Sequence, residues 1–176
     1  IIYGPIALWD MHHSQVLDIA WREHESGNEV SILHCDKFLA SCPANPQHFD
    51  WKCRDCKFQV NHSINLLFPE NIEHIWIQSK ISEANTWHVN LDQVINYETL
   101  SSFQYKGHPI GSAVASQLIS ELRDISIQDE VIKERAVPIL INAIQFFEKS
   151  ASILKQGYKR AYVWGGRRAS EAPFLY

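Results

Sequence analysis

The tightest constraint on the fold lies in the first thirty-odd residues, where two apolar runs bracket one amphipathic helix. Ile1 to Ile6 reads as a strand that leads through Ala7-Leu8-Trp9 into polar sequence. Asp10 or Ser14 is placed to cap the helix that follows. Val16, Leu17, Ala20, Trp21 and His24 recur at helical spacing, which gives that helix one apolar stripe. Gly27-Asn28 closes it, because both residues tolerate the left-handed conformation of a helix end. Glu29 to Leu33 is then a second strand. Strand, helix and strand within about 35 residues is a βαβ unit, and such a unit requires a parallel sheet. The expected class is therefore α/β: a Rossmann-like, three-layer domain.

Residues 34–62 break this rhythm and read as an irregular, cysteine-rich loop insertion. Ile72 to Ile77 is a third strand, and Leu91 to Tyr97 a short helix. Ser112 to Arg123 carries Ala115, Leu118, Ile119 and Leu122 on one helical face. A longer helix spans about Gln128 to Lys155, with Pro138 expected to kink it near Glu134, since the proline ring strikes the carbonyl four residues back. Gly157 ends that helix. Ala161 to Trp164 is a last strand, Gly165-Gly166 a tight turn, and Arg167 the start of another helix. The whole chain, 1–176, reads as one domain.

All four cysteines fall in the insertion, as Cys35-x6-Cys42-x10-Cys53-x2-Cys56. A Cys-x2-Cys pair lets two thiolates share a tetrahedral metal, and a second pair completes four sulfur ligands, so a closed structural zinc site is the leading expectation. His34 and His48 are alternative ligands. Reduced cysteines without metal, two disulfides, and a redox Cys-x-x-Cys are the competing readings.

In a parallel α/β sheet, ligands bind beyond the carboxyl ends of the strands. The loop after the first strand holds Trp9, Asp10, His12 and His13 at that place. An imidazole and a carboxylate there can take a proton from a hydroxyl, and an indole can stack a sugar ring. A plain helix cap and a core tryptophan are the bland alternatives. Trp164-Gly165-Gly166-Arg167-Arg168 is a second candidate, because amides at a helix start with arginines beside them favour an anion. Solvated arginines after an ordinary β–α turn are the alternative there. No Gly-x-Gly-x-x-Gly and no phosphate-loop lysine pattern occurs.

Bulk composition narrows the partners. The formal net charge of −4 gives no overall basic surface for nucleic acid. No apolar run reaches the roughly 18–20 residues of a membrane span, and no signal peptide is visible. A cytoplasmic location is expected, with peripheral attachment to the inner face of the membrane as an option. Both termini read as cut, so a longer protein is expected.

Taken in order, several segments resemble one family. They are Gly4-Pro5 with Trp9-Asp10-x-His12, Gly27-Asn28-Glu29-Val30 leading to His34-Cys35, and Cys42-Pro43-Ala44-Asn45-Pro46 with Cys53-x-x-Cys56. Gly107-x-x-x-Gly111 with Ser116, Ser120-x-Leu122-Arg123-Asp124 and Val163-Trp164-Gly165-Gly166-Arg167 follow. The set resembles the N-terminal domain of capsular or surface-polysaccharide biosynthesis glycosyltransferase-like proteins of GT-B architecture. Gly165 stands where that family usually has Asn.

The resemblance implies half of a GT-B fold, the acceptor side, in a bacterial enzyme whose C-terminal donor domain lies outside this chain. It implies transfer of a sugar from a nucleotide-sugar donor, bound mainly by that other domain, to a glycan or lipid-linked acceptor. His12 or Asp10 would be catalytic, and Trp9, His13, Gly165, Gly166 and Arg167 would bind substrate. The isolated piece would be inactive. A nucleotide-sugar epimerase of the same architecture, and a non-enzymatic zinc-stabilised binding module, are the rival readings.

Overall fold

The computed structural model describes residues 1–4, 6–40, 42, 44–68, 72–78, 90–166, 168, 169 and 171–175, without the side chain of Phe174. It divides into two units: Ile1–Gln78 with Tyr158–Trp164, and Ser79–Gly157 with Gly165–Tyr176.

The first unit holds the sheet. Strands β1 (Ile2–Tyr3), β2 (Ser31–Asp36), β3 (Glu73–Gln78) and β4 (Tyr162–Val163) are all parallel, in the order β3-β2-β1-β4. Helix α1 (Asp10–Glu25) links β1 to β2, and α2 (Asp50–Leu67) lies between β2 and β3. This is the expected Rossmann-like α/β class. Ile2 and Ile32 from the strands pack with Val16, Leu17 and Ala20 of α1 and Val60 and Ile64 of α2. Trp21, expected in the buried stripe, is exposed instead and rests against Phe68 at 5.8 Å.

Gly4 lets α1 approach the end of β1. A Cβ there would lie 2.7 Å from Cγ1 of Val16. Gly4→Ala is expected to cost about 1–3 kcal/mol, the usual range for overpacking. Pairing it with Val16→Ala should recover part of that loss in a denaturant-unfolding double-mutant cycle, and additive losses would contradict this packing account.

The cysteine segment is less irregular than its composition suggests. Residues 50–62 belong to α2, an 18-residue crossover helix. Cys53, Cys56, Val60 and Ile64 recur on one side of it, so the cysteines there occupy positions of an ordinary helix stripe. Asp10 is the first residue of α1 and not its cap: Trp9 occupies the cap position without a side-chain bond, and Ser14 Oγ donates to the Asp10 carbonyl at 2.7 Å.

The second unit is helical among its described residues: α3 (Tyr97–Ser101), α4 (Ile110–Leu122), α5 (Asp129–Val131) and α6 (Val137–Leu154). Leu100, Ile110, Val114, Leu118, Ile132, Leu140 and Ile144 form its core. The short helix expected from Leu91 begins later, at Tyr97, because Asn96 and Thr99 build a reciprocal capping box there. A π-turn over Ile132–Ala136 leads into Pro138. Glu134, whose carbonyl the proline ring is expected to strike, lies inside this wider turn.

Candidate functional site

The sheet order decides where to look for a ligand. The chain builds β1, β2 and β3 outward in one direction, then returns to place β4 on the other side of β1. The reversal lies between β1 and β4, and in open α/β sheets the crevice beyond the carboxyl ends at such a reversal is the ligand position.

Three rings meet there. Trp9 ends the β1–α1 loop, His12 lies in the first turn of α1, and Trp164 follows β4. The His12 ring centroid is 4.8 Å from that of Trp9, with planes 62° apart, and 4.4 Å from that of Trp164, with planes 43° apart. The imidazole thus sits between two indoles, and Trp164 is exposed. Asp10 is exposed on the same first turn, where its carboxylate complements the positive end of the helix dipole.

His13 points elsewhere. It is buried, with Nε2 2.7 Å from Ser63 Oγ of α2. Burial lowers its pKa, and the Asp10 carboxylate pulls it partly back.

Gly165 and Gly166 belong to the second unit, with φ of +68° and +66°. Glu171 Oε2 would be 3.2 Å from a Cβ at Gly165, and Leu175 Cδ1 2.6 Å from one at Gly166. The helix expected after this turn is a four-residue 3-10 helix, Ala172–Leu175. Arg167 lies outside the described residues.

A second cleft opens beyond β2, with about 470 Å³ of empty space continuous with solvent. Ile6 and Leu8 of the first loop, the end of β2, and the start of α2 form its walls. Its charges are mostly paired. Asp36 accepts from Lys57 at 3.1 Å, and Lys37 meets Asp50 at 2.7 Å. Lys37 and His48 both hold left-handed backbone, with φ of 58° and 53°, a conformation uncommon for side-chain-bearing residues.

All four cysteines line this cleft as free thiols. They do not form the expected zinc site. Among the described residues, no group of three or more His, Cys, Asp or Glu side chains is placed to hold a metal ion. The sulfurs come from three segments, and three of them accept hydrogen bonds from N–H groups. Cys35 Sγ accepts from the Phe38 amide at 3.2 Å, Cys56 Sγ from the Ala7 amide at 3.3 Å, and Cys53 Sγ from Asn45 Nδ2 at 3.3 Å. Burial pushes the Cys35 thiol up to about 12 and raises Cys42 and Cys56 as well. The alternative ligands are also engaged: His48 Nε2 donates to the Ala40 carbonyl at 2.9 Å, and His34 Nδ1 to that of Gly4 at 3.3 Å.

No protein-family model, no curated protein and no solved structure matches this chain.

Two residues take places that local sequence does not reveal. Trp164 was visible in the last strand motif, but its place beside His12 depends on β4 pairing with β1. His34 lies on β2 and is buried, its ring 4.9 Å from Trp76 and 5.6 Å from His74 of the neighbouring β3. The sequence offers it only as an alternative metal ligand just past the second strand. Among the described residues, no helix is long and apolar enough to cross a membrane.

Proposed function

We propose that this chain is the acceptor-binding half of a glycosyltransferase that moves a sugar from a nucleotide-sugar donor to a glycan or lipid-linked acceptor. The observation that supports this most is the indole–imidazole–indole cluster of Trp9, His12 and Trp164 at the reversal of the sheet. Indole faces offer broad apolar surfaces for the C–H faces of a pyranose. An imidazole between them is placed to meet a hydroxyl of the stacked ring. The ordered sequence resemblance points to the same chemistry.

In this reading, His12 takes the proton of the acceptor hydroxyl as its oxygen attacks the anomeric carbon of the donor. The anomeric C–O bond to phosphate breaks, and the nucleoside diphosphate leaves with the electron pair. Imidazole suits the task because its ordinary pKa lies near neutrality. Asp10, on the same helical turn, is the alternative base.

In the full-length enzyme, His12→Ala should lower kcat by roughly 10²–10⁴, the usual contribution of a general base, and Asp10→Ala by less. Turnover unchanged in both variants would remove the assignment. Product analysis with a labelled donor separates transfer from epimerisation: an altered free sugar without acceptor product favours the epimerase.

A further inference from the structure

The thiol cleft plays no part in the proposed transfer, yet it gathers every cysteine of the chain around one solvent-open space. Asn45 joins two of the segments that carry them. It is buried, and its backbone N–H donates to the Cys42 carbonyl at 2.9 Å. Its side-chain amide donates to the Phe49 carbonyl at 2.9 Å and to Cys53 Sγ at 3.3 Å, and its Oδ1 accepts from the Phe49 amide at 2.9 Å. The turn holding Cys42 is thereby clamped against the first turns of α2. Cys53 and Cys56 are the fourth and seventh residues of that helix. Cys42 faces the same cleft from a separate segment.

We propose that this cleft is a thiol-oxidation site, in which Cys42 forms an intramolecular disulfide with a thiol of the Cys53-x-x-Cys56 pair by exchange with a small-molecule disulfide. One protein thiol loses its proton and attacks a sulfur of the reagent. A mixed disulfide forms, and one reagent thiolate leaves and takes up a proton. The second protein thiol, also deprotonated, attacks the protein sulfur of the mixed disulfide and expels the second reagent thiol. The sum is two protein thiols and one small disulfide converted to one protein disulfide and two small thiols. Cys35 takes no part, because it belongs to β2 and its Sγ accepts from the Phe38 amide, outside the segments that Asn45 joins. The product cross-links the β2–α2 loop to α2 across the cleft.

The test is to incubate the reduced full chain with oxidised glutathione at pH 7 and pH 8, quench with acid, block the remaining thiols and map the peptides by mass spectrometry. The expected result is loss of two thiols and two hydrogens, with Cys42 linked to Cys53 or Cys56. The reaction should run several-fold faster at pH 8, because it proceeds through thiolate. Cys35→Ser should react as the parent does. Cys42→Ser, checked for native circular dichroism, should stop at a glutathione adduct on α2. The wild-type map decides the matter even if that variant does not fold. Four free thiols, stable glutathione adducts alone, or a disulfide that omits Cys42 would overturn the proposal.

Discussion

Chemical denaturation of this protein should show stability falling steeply as pH drops below about 6.5, the ordinary imidazole value, with His34 as the main cause. The ring is 1% exposed, and burial pushes its pKa down to about 3. Its Nδ1–H donates to the Gly4 carbonyl, which leaves Nε2 as a bare nitrogen with no hydrogen-bond partner among the described residues. Protonating that nitrogen inside the fold would bury an unpaired charge. Above pH 6.5 neither the folded nor the unfolded chain binds this proton, and the contribution to stability is complete. Below it the unfolded chain takes up a proton that the folded chain refuses. Stability then falls by about 1.4 kcal/mol per pH unit from this residue alone, until the pH nears the folded value. His13 and His74, also lowered by burial, add to the slope in the same direction. Against a typical domain stability of roughly 5–15 kcal/mol, the loss by pH 5 is large. His34→Gln keeps a donor for Gly4 and removes the titration, so its acid slope should be shallower by about one proton. An unchanged slope would show that His34 takes up its proton without unfolding.

A second large effect is expected at Gly111. A Cβ there would lie 2.0 Å from the Leu100 carbonyl oxygen, 2.7 Å from Phe103 Cβ and 2.9 Å from the Phe103 carbonyl oxygen. Two of these atoms are backbone, so no side-chain rotation relieves the contact. The Gly111 N–H also donates to the Phe103 carbonyl at 3.0 Å, so moving α4 away from α3 breaks that bond as well. Gly111→Ala should therefore cost at least about 3 kcal/mol, the upper range for overpacking. Hydrogen exchange localises the damage. Amides of α3 and α4 should lose protection, while those of β2 and β3 keep theirs. Equal protection in the parent and variant would mean that the α3–α4 junction accommodates a methyl group.

These residues also show why the sequence was only partly readable. The βαβ start, the parallel sheet, α4 and the long proline-containing helix were all legible, because each rests on local periodicity or on a glycine or proline with one physical meaning. Gly27, for example, does adopt φ of +78° at the close of α1. The cysteine segment is ambiguous because a cysteine is both a metal ligand and a small apolar residue. Cys53 and Cys56 continue into Val60 and Ile64 at helical spacing, and reading them as ligands hid the helix. At the candidate site, Trp9, Asp10 and His12 could be placed from the strand-end rule, whereas the contribution of Trp164 depends on a strand pairing across some 160 residues. No local pattern encodes such a pairing.

The account rests on the crevice between β1 and β4 being the sugar-binding face. Titrating the isotopically labelled chain with methyl pyranosides and following its indole N–H and imidazole resonances tests this directly. The expected result is saturable shifts at Trp9, His12 and Trp164, abolished by Trp164→Ala, with exposed Trp51 on α2 unmoved. Shifts confined to Trp51 or to the thiol cleft, or a Trp164→Ala chain that binds as the parent does, would contradict it.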